Sequence, residues 1–252
     1  MQFSISDHVV TINIPSFERL AAATEARLAA GEGFALATLN LDHLAKMAHD
    51  EAFARAYGQQ DMIVADGNPI VALSRIAGQP VELLPGSDLI LPLCRIAAKA
   101  GSPVALVGSD EPTLAAAAQA LEAEVPGLRI VLRHPPAMGF DPEGSEAQEI
   151  FRRLSDTGAK LCFVALGAPK QERFAAAGRA AAPGVGFVSI GAGLDFIAGS
   201  QRRAPVLVRR IAMEWFWRMC SDFKRLGPRY ARCFAILPGQ VLNALRLRAS
   251  GR

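Results

Sequence analysis

Residues 161–172 read LCFVALGAPKQE. An unbroken apolar, β-favouring run passes through Gly167 and Pro169 into polar sequence of helical character that continues to about residue 182. A strand covered on both faces reads as such a run, and a helix tolerates proline in its first turn, where an N–H has no intrahelical partner. This is the grammar of a strand–turn–helix unit.

Outward from it the same unit repeats. FALATL (34–39), MIVA (62–65), PVALVG (103–108), RIVL (129–132) and GFVSIG (186–191) are further candidate strands. Helical sequence follows or separates them at 41–57, 68–77, 87–100, 112–124, 145–156 and 170–182, and residues 3–14 suit an edge hairpin. Alternation of this kind predicts an α/β fold, Rossmann-like, with a mostly parallel sheet flanked by helices. Ser109, Asp110, Glu111 and Pro112 supply cap, acidic first turn and early proline for one helix. Ser87, after the turn Leu84-Pro85-Gly86, reads as the cap of another.

After about residue 200 the alternation stops. Segments 204–226 and 229–248 interleave Arg218, Lys224, Arg225, Arg229 and Arg232 with Trp215, Phe216, Trp217, Phe223 and Tyr230. Residues 1–200 carry a formal charge of −7 and residues 201–252 one of +10. The expected organisation is therefore an α/β core over 1–200 and a basic, amphipathic helical appendage over 201–252. Aromatic rings beside arginines suit an anionic lipid surface, and the large apolar share argues against nucleic acid.

The chain of 252 residues, 51% hydrophobic and 20% charged, is neither disordered nor fibrous and can bury a sizeable core without staples. Cys94, Cys162, Cys220 and Cys233 form no CxxC pair, which fits a reducing compartment. The first residues, MQFSISDHVV, lack the basic start and apolar core of a secretory signal, and no stretch is apolar for long enough to span a bilayer.

Ligands of open α/β sheets bind beyond the carboxyl ends of the strands, so the residues just past each run carry the functional reading. Thr38 and Asn40 end one run, where a hydroxyl and an amide can hold a polar ligand or, equally, cap a helix. Asp66, followed by Gly67, ends another and can act as a general base or form an Asp-Gly turn. Gly167, Lys170 and Gln171 lie at a helix start able to face an anion, or on a capped surface helix. Gly191 and Gly193 begin a dinucleotide fingerprint whose third glycine is replaced by Phe196, so an oxidoreductase reading is weak. The sequence contains no GxxxxGK[ST] motif and no DxD pair, and His8, His43, His49 and His134 show no metal spacing, so they are taken as structural or surface groups and no metal or cofactor is expected.

Taken in order, TLN, VADG, PGSDL, VALVG, GAPKQE, GAGLDFIAGSQRRAP and EWFWR resemble the WecG/TagA/CpsF family of bacterial glycosyltransferases over nearly the whole chain. The resemblance implies a metal-independent, inverting transfer of a sugar from a UDP-sugar to a sugar on a polyprenyl diphosphate, in synthesis of cell-surface or wall polymers. It implies that Asp66 is the catalytic base and that Thr38, Asn40, Gly167, Gln171, Gly193 and Asp195 contact substrate. Arg218, Arg225 and Arg229 are the candidates to meet a diphosphate. It also implies a peripheral location on the inner face of the cell membrane, reached through the appendage, with self-association open to an apolar tail. Leu83 stands where the family often has arginine. The alternative from a different class is a non-catalytic module that binds a nucleotide or glycan in the same cleft.

Overall fold

The computed structural model describes residues 1–5, 7–201 and 223–251. Its centre is a six-stranded sheet in the order β4-β3-β8-β7-β5-β6, parallel throughout. The strands are β3 (Phe34–Leu39), β4 (Met62–Ala65), β5 (Val104–Gly108), β6 (Ile130–His134), β7 (Leu161–Ala165) and β8 (Gly186–Ser189). All six residues of β3 are buried, because successive side chains enter different layers. Phe34 and Leu36 join the core under helices α1 (Phe17–Ala30), α5 (Gly86–Lys99) and α6 (Glu111–Glu124), whereas Ala35, Ala37 and Leu39 face the opposite layer. That layer contains α2 (Leu41–Met47), α3 (Glu51–Gly58), α4 (Asn68–Ile76), α7 (Ser145–Asp156) and α8 (Lys170–Ala181). A short helix, α9 (Gly193–Ile197), follows β8.

Four local features depart from the expectation. Helix α1 was not anticipated; Ser16 caps it by accepting from the Arg19 N–H, and Gly31 ends it at φ 69°. The predicted helix over 41–57 is two helices, because Asp50 accepts from the Phe53 N–H and starts α3 afresh. Ser87 lies within the first turn of α5, whose cap position is held by Pro85. The hairpin of β1 (Gln2–Ile5) and β2 (His8–Thr11) forms its own two-stranded sheet rather than joining the large one.

The chain just beyond that hairpin covers the outer edge of β4. Asn13 Oδ1 accepts from the Ile63 N–H at 2.7 Å, its Nδ2 donates to the Asp61 carbonyl at 2.8 Å, and the Ile14 N–H donates to the Ile63 carbonyl at 3.3 Å. At the other edge, Glu122 Oε1 accepts from the Ile130 N–H of β6 at 3.0 Å.

From the basic tail, α10 (Phe223–Ala249) is described; of residues 223–225 the backbone alone is. Leu226, Cys233, Gln240 and Ala244 are its buried residues, spaced to lie along one seam. Cys233 and Ala244 enter the core formed by α2, α4 and the hairpin, and Gln240 donates to the Ser4 carbonyl at 3.0 Å. No described helix is long and apolar enough to cross a membrane.

Candidate active site

Register places the central pair. In the β3–β4 ladder Leu39 pairs with Ala65, so the next residues, Asn40 and Asp66, leave the sheet side by side. The Asp66 N–H donates to the Leu39 carbonyl at 2.8 Å, and Asn40 Nδ2 donates to Asp66 Oδ2 at 3.3 Å. Gly67, at φ 95° and ψ 140°, then turns the chain into α4, a backbone conformation that L side chains rarely adopt. Asn40 is also the cap of α2, its Oδ1 accepting from the His43 N–H at 3.0 Å.

Behind this pair lies a buried polar cluster. His43 Nδ1 is 2.6 Å from the Tyr57 hydroxyl, which donates to the Thr38 carbonyl at 3.1 Å, and His43 Nε2 is 3.3 Å from Asn40 Nδ2. Phe53 packs edge-on against both rings. Glu172, fully buried, accepts at Oε1 from Gln171 Nε2 at 2.8 Å, while its Oε2 has no hydrogen-bond partner among the described residues. Its Oε1 lies 4.0 Å from His43 Nδ1.

Burial is the main cause of the protonation states. It pushes the Glu172 carboxyl up to about 7 from an ordinary 4.5 and the His43 imidazole down to about 3 from 6.5. Both groups are neutral over much of the acid range. Tyr57 is raised well above 10 by burial and by the nearby Glu172 and Asp66.

These shifts dictate a pH dependence of stability. Between pH 4.5 and 7 the unfolded chain has lost the Glu172 proton while the folded chain keeps it, so stability falls as pH rises. Between pH 3 and 6.5 the unfolded chain protonates His43 and the folded chain does not, so stability falls as pH drops. The slopes oppose each other from 4.5 to 6.5. Glu172→Gln is expected to unmask the histidine slope, with stability rising by about 2–3 kcal/mol across that interval, where these two groups nearly cancel in the wild type. Thermal melts from pH 4 to 8 check it; identical pH curves for variant and wild type would contradict the assignment.

The other predicted residues separate into three settings. Gln171 is buried, and its carboxamide is committed at both ends, to Glu172 and to the Gly191 N–H at 3.0 Å, tying α8 to the turn after β8. Gly193 is buried too; a Cβ there would lie 2.6 Å from Ile90 Cδ1, so its smallness lets α9 close on α5. Gly167 is an exposed turn residue at φ 69°. Asp195 forms a second cluster at the rim, accepting at Oδ1 from the Ser109 hydroxyl at 3.0 Å. Ser109 itself has φ 54°, the one non-glycine residue with positive φ among those described.

Of the arginines, Arg218 lies outside the described residues, as does the EWFWR segment, and for Arg225 the backbone alone is described. Arg229 reaches α2, its Nε 3.1 Å from Asp42 Oδ2. Lys46 Nζ is 3.0 Å from the same oxygen and also donates to the Ala168 carbonyl at 3.2 Å. Neither cation is aligned to hydrogen-bond that oxygen, so the contacts are Coulombic. Two cations on one carboxylate leave a unit of positive charge that is about one third exposed.

Asn68, two residues past Asp66, lines a groove of about 680 Å³ together with Val71, Arg75, Val81, Glu82 and Leu83. It adjoins the site because Leu83 bridges to Ala65 at the end of β4. Among the described residues no group of three or more His, Cys, Asp or Glu is arranged to hold a metal ion. Sequence reasoning missed His43, Tyr57, Asp42, Lys46 and Glu172 as members of this site. The signal for His43 was its place three residues past the cap at Asn40.

The model of the glycosyl transferase WecG/TagA/CpsF family matches residues 7–251. The N-acetylglucosaminyldiphosphoundecaprenol N-acetyl-beta-D-mannosaminyltransferase of Staphylococcus aureus strain MW2 is 28% identical over 178 residues, covering 70% of this chain and 68% of that protein. The protein of the same name from strain NCTC 8325 matches to the same extent.

Proposed function

The chain belongs to the WecG/TagA/CpsF glycosyl transferase family, and from that premise we propose that it transfers an N-acetylhexosamine, of the mannosamine type, from a UDP-sugar to an N-acetylglucosaminyl diphosphate carried on a polyprenyl lipid. The product is an intermediate of a cell-surface or wall polymer. Membership in a transferase family sets aside the binding-module and oxidoreductase readings. The sugars and the lipid diphosphate are those in the name of the Staphylococcus aureus relative.

The observation that carries the mechanism is the Asn40–Asp66 pair, side by side at the carboxyl ends of β3 and β4. In the proposed step Asp66 takes the proton from the acceptor hydroxyl as its oxygen attacks the anomeric carbon. The new O–C bond forms on the face opposite the departing diphosphate, which leaves with the electron pair of the broken bond, so the configuration inverts. Negative charge grows on that leaving group, and the residual positive charge at Asp42, Lys46 and Arg229, together with Arg218 and Arg225, is the proposed counter-charge in place of a metal. Thr38, and Asn40 through the second lone pair of its carboxamide oxygen, are proposed to contact substrate from the end of β3.

The groove suits an amphiphilic acceptor. Val71, Val81 and Leu83 supply apolar walls, and Arg75 supplies one cation. On α10, Phe234, Leu242 and Leu245 are about half exposed beside the exposed Arg232, Arg246 and Arg248, which supports attachment to the cytoplasmic leaflet. UDP release is the direct test, using full-length protein, a panel of UDP-sugars, a short-chain polyprenyl-diphosphate acceptor and chelator throughout. Acceptor-dependent release with one donor is the expected result. A folded, lipid-bound protein that releases nothing with any pair would refute the proposal.

A further inference from the structure

We propose that His43 and Tyr57 are positioning residues for the transfer, forming a one-way chain of hydrogen bonds that holds the Asn40 carboxamide with its nitrogen toward Asp66. The proposal rests on the reading of Asp66 as the base.

The chain follows from proton counting. The Asn40 carboxamide has one acceptor oxygen, and the His43 backbone N–H occupies it at 3.0 Å. Its Nδ2 is therefore the atom that sits 3.3 Å from Asp66 Oδ2 and 3.3 Å from His43 Nε2. Two protons on that nitrogen serve two acceptors, which requires a lone pair on His43 Nε2 and places the ring proton on Nδ1. At 2.6 Å the Nδ1–H then meets the Tyr57 oxygen, whose own proton is directed to the Thr38 carbonyl at 3.1 Å. Every donor has an acceptor under this assignment. The opposite tautomer sets an Nε2–H against the N–H of Asn40 and turns the Tyr57 proton to Nδ1, leaving the Thr38 carbonyl without it.

Burial sustains the arrangement. Desolvation keeps the imidazole uncharged; among the nearby charges Asp42 favours a second ring proton, and Lys46 and Arg229 oppose it. The three aromatic rings at 43, 53 and 57 pack edge to face with centroids 5.2–5.8 Å apart, which restricts the imidazole from turning over. The main-chain carbonyl at the start of the chain belongs to Thr38, in the same strand that delivers Asn40. Strand β3 thus fixes both ends of the relay, and the orientation of the base depends on a tyrosine that the acceptor never meets.

Two readouts test this. Long-range proton–nitrogen NMR of labelled, full-length protein at pH 7 reads the tautomer directly: the expected His43 ring is neutral and protonated at Nδ1. A ring protonated at Nε2, or doubly protonated, overturns the proposal. In steady-state assays with the UDP-sugar and lipid acceptor, Tyr57→Phe keeps the ring but removes the acceptor of the Nδ1–H. A fall of roughly tenfold to a hundredfold in kcat is expected with donor KM within about twofold. Glutamine mimics the Nε2 end of histidine and asparagine the Nδ1 end, so His43→Gln should keep about tenfold more kcat than His43→Asn at comparable melting temperature. Equal losses in the two variants would mark His43 as packing alone. Turnover that survives Asp66→Asn removes the base and this proposal with it, whereas turnover abolished by Asp66→Asn yet indifferent to Tyr57→Phe overturns the positioning role alone.

Discussion

Asp66→Asn lowers kcat by about 10³-fold, close to 4 kcal/mol of transition-state stabilisation, while the donor binds within about threefold of wild type. The substitution keeps size and shape, and the amide oxygen at position 66 can still accept from Asn40 Nδ2, now 3.3 Å from Oδ2. What is lost is the capacity to take a proton from the acceptor hydroxyl. Because Asp66 leaves the sheet with its N–H bonded to Leu39 and its neighbour Gly67 turning into α4, the backbone does not depend on its charge. A melting temperature within a few degrees of wild type is therefore part of the expected result. Calorimetric donor binding alongside UDP release measures both halves. Activity within tenfold of wild type would remove Asp66 from the mechanism.

The second large effect is on stability. Gly108 closes β5 at φ 121°, and a Cβ there would stand 2.3 Å from the carbonyl oxygen and 2.5 Å from the carbonyl carbon of Ala165. Those atoms are backbone of β7, paired with Gly108 in the ladder, and cannot swing aside as a side chain would. Gly108→Ala must push apart two interior strands and also adopt a strained φ. A loss of about 3 kcal/mol or more is expected, lowering Tm by roughly 6–12 °C. Gly167→Ala is the control: φ is 69° but nothing lies within 4 Å of the added methyl, so the cost is conformational strain of about 1 kcal/mol. Equal Tm shifts for the two would show that the close approach at Gly108 relaxes freely.

The sheet was readable because buried parallel strands are continuous apolar runs, and each of the six runs quoted from the sequence contains or overlaps a strand. Helix α1 escaped because Leu20 and Thr24 are its buried residues, too few to make a periodic pattern. The break between α2 and α3 turned on the capping bond of Asp50, which competes with an otherwise helical stretch.

The site was half legible for a similar reason. Asp66 and Asn40 stood out as polar groups at strand ends, but their adjacency comes from register, which a linear sequence does not display. His43, Tyr57 and Glu172 look like ordinary core or helix residues until folding removes water from around them. The pairing of Ser109 with Asp195 joins residues on separate units and depends on a positive φ that nothing nearby announces.

The plugs at the two sheet edges bear on life at high density. A protein gathered onto a two-dimensional surface meets its own copies far more often than in bulk, and an open strand edge under that crowding is a template for runaway strand-to-strand polymerisation. Asn13 interrupts the row of backbone donors and acceptors on β4, and Glu122 does the same on β6. Neither edge of the large sheet therefore offers a neighbouring copy an unbroken strand to extend.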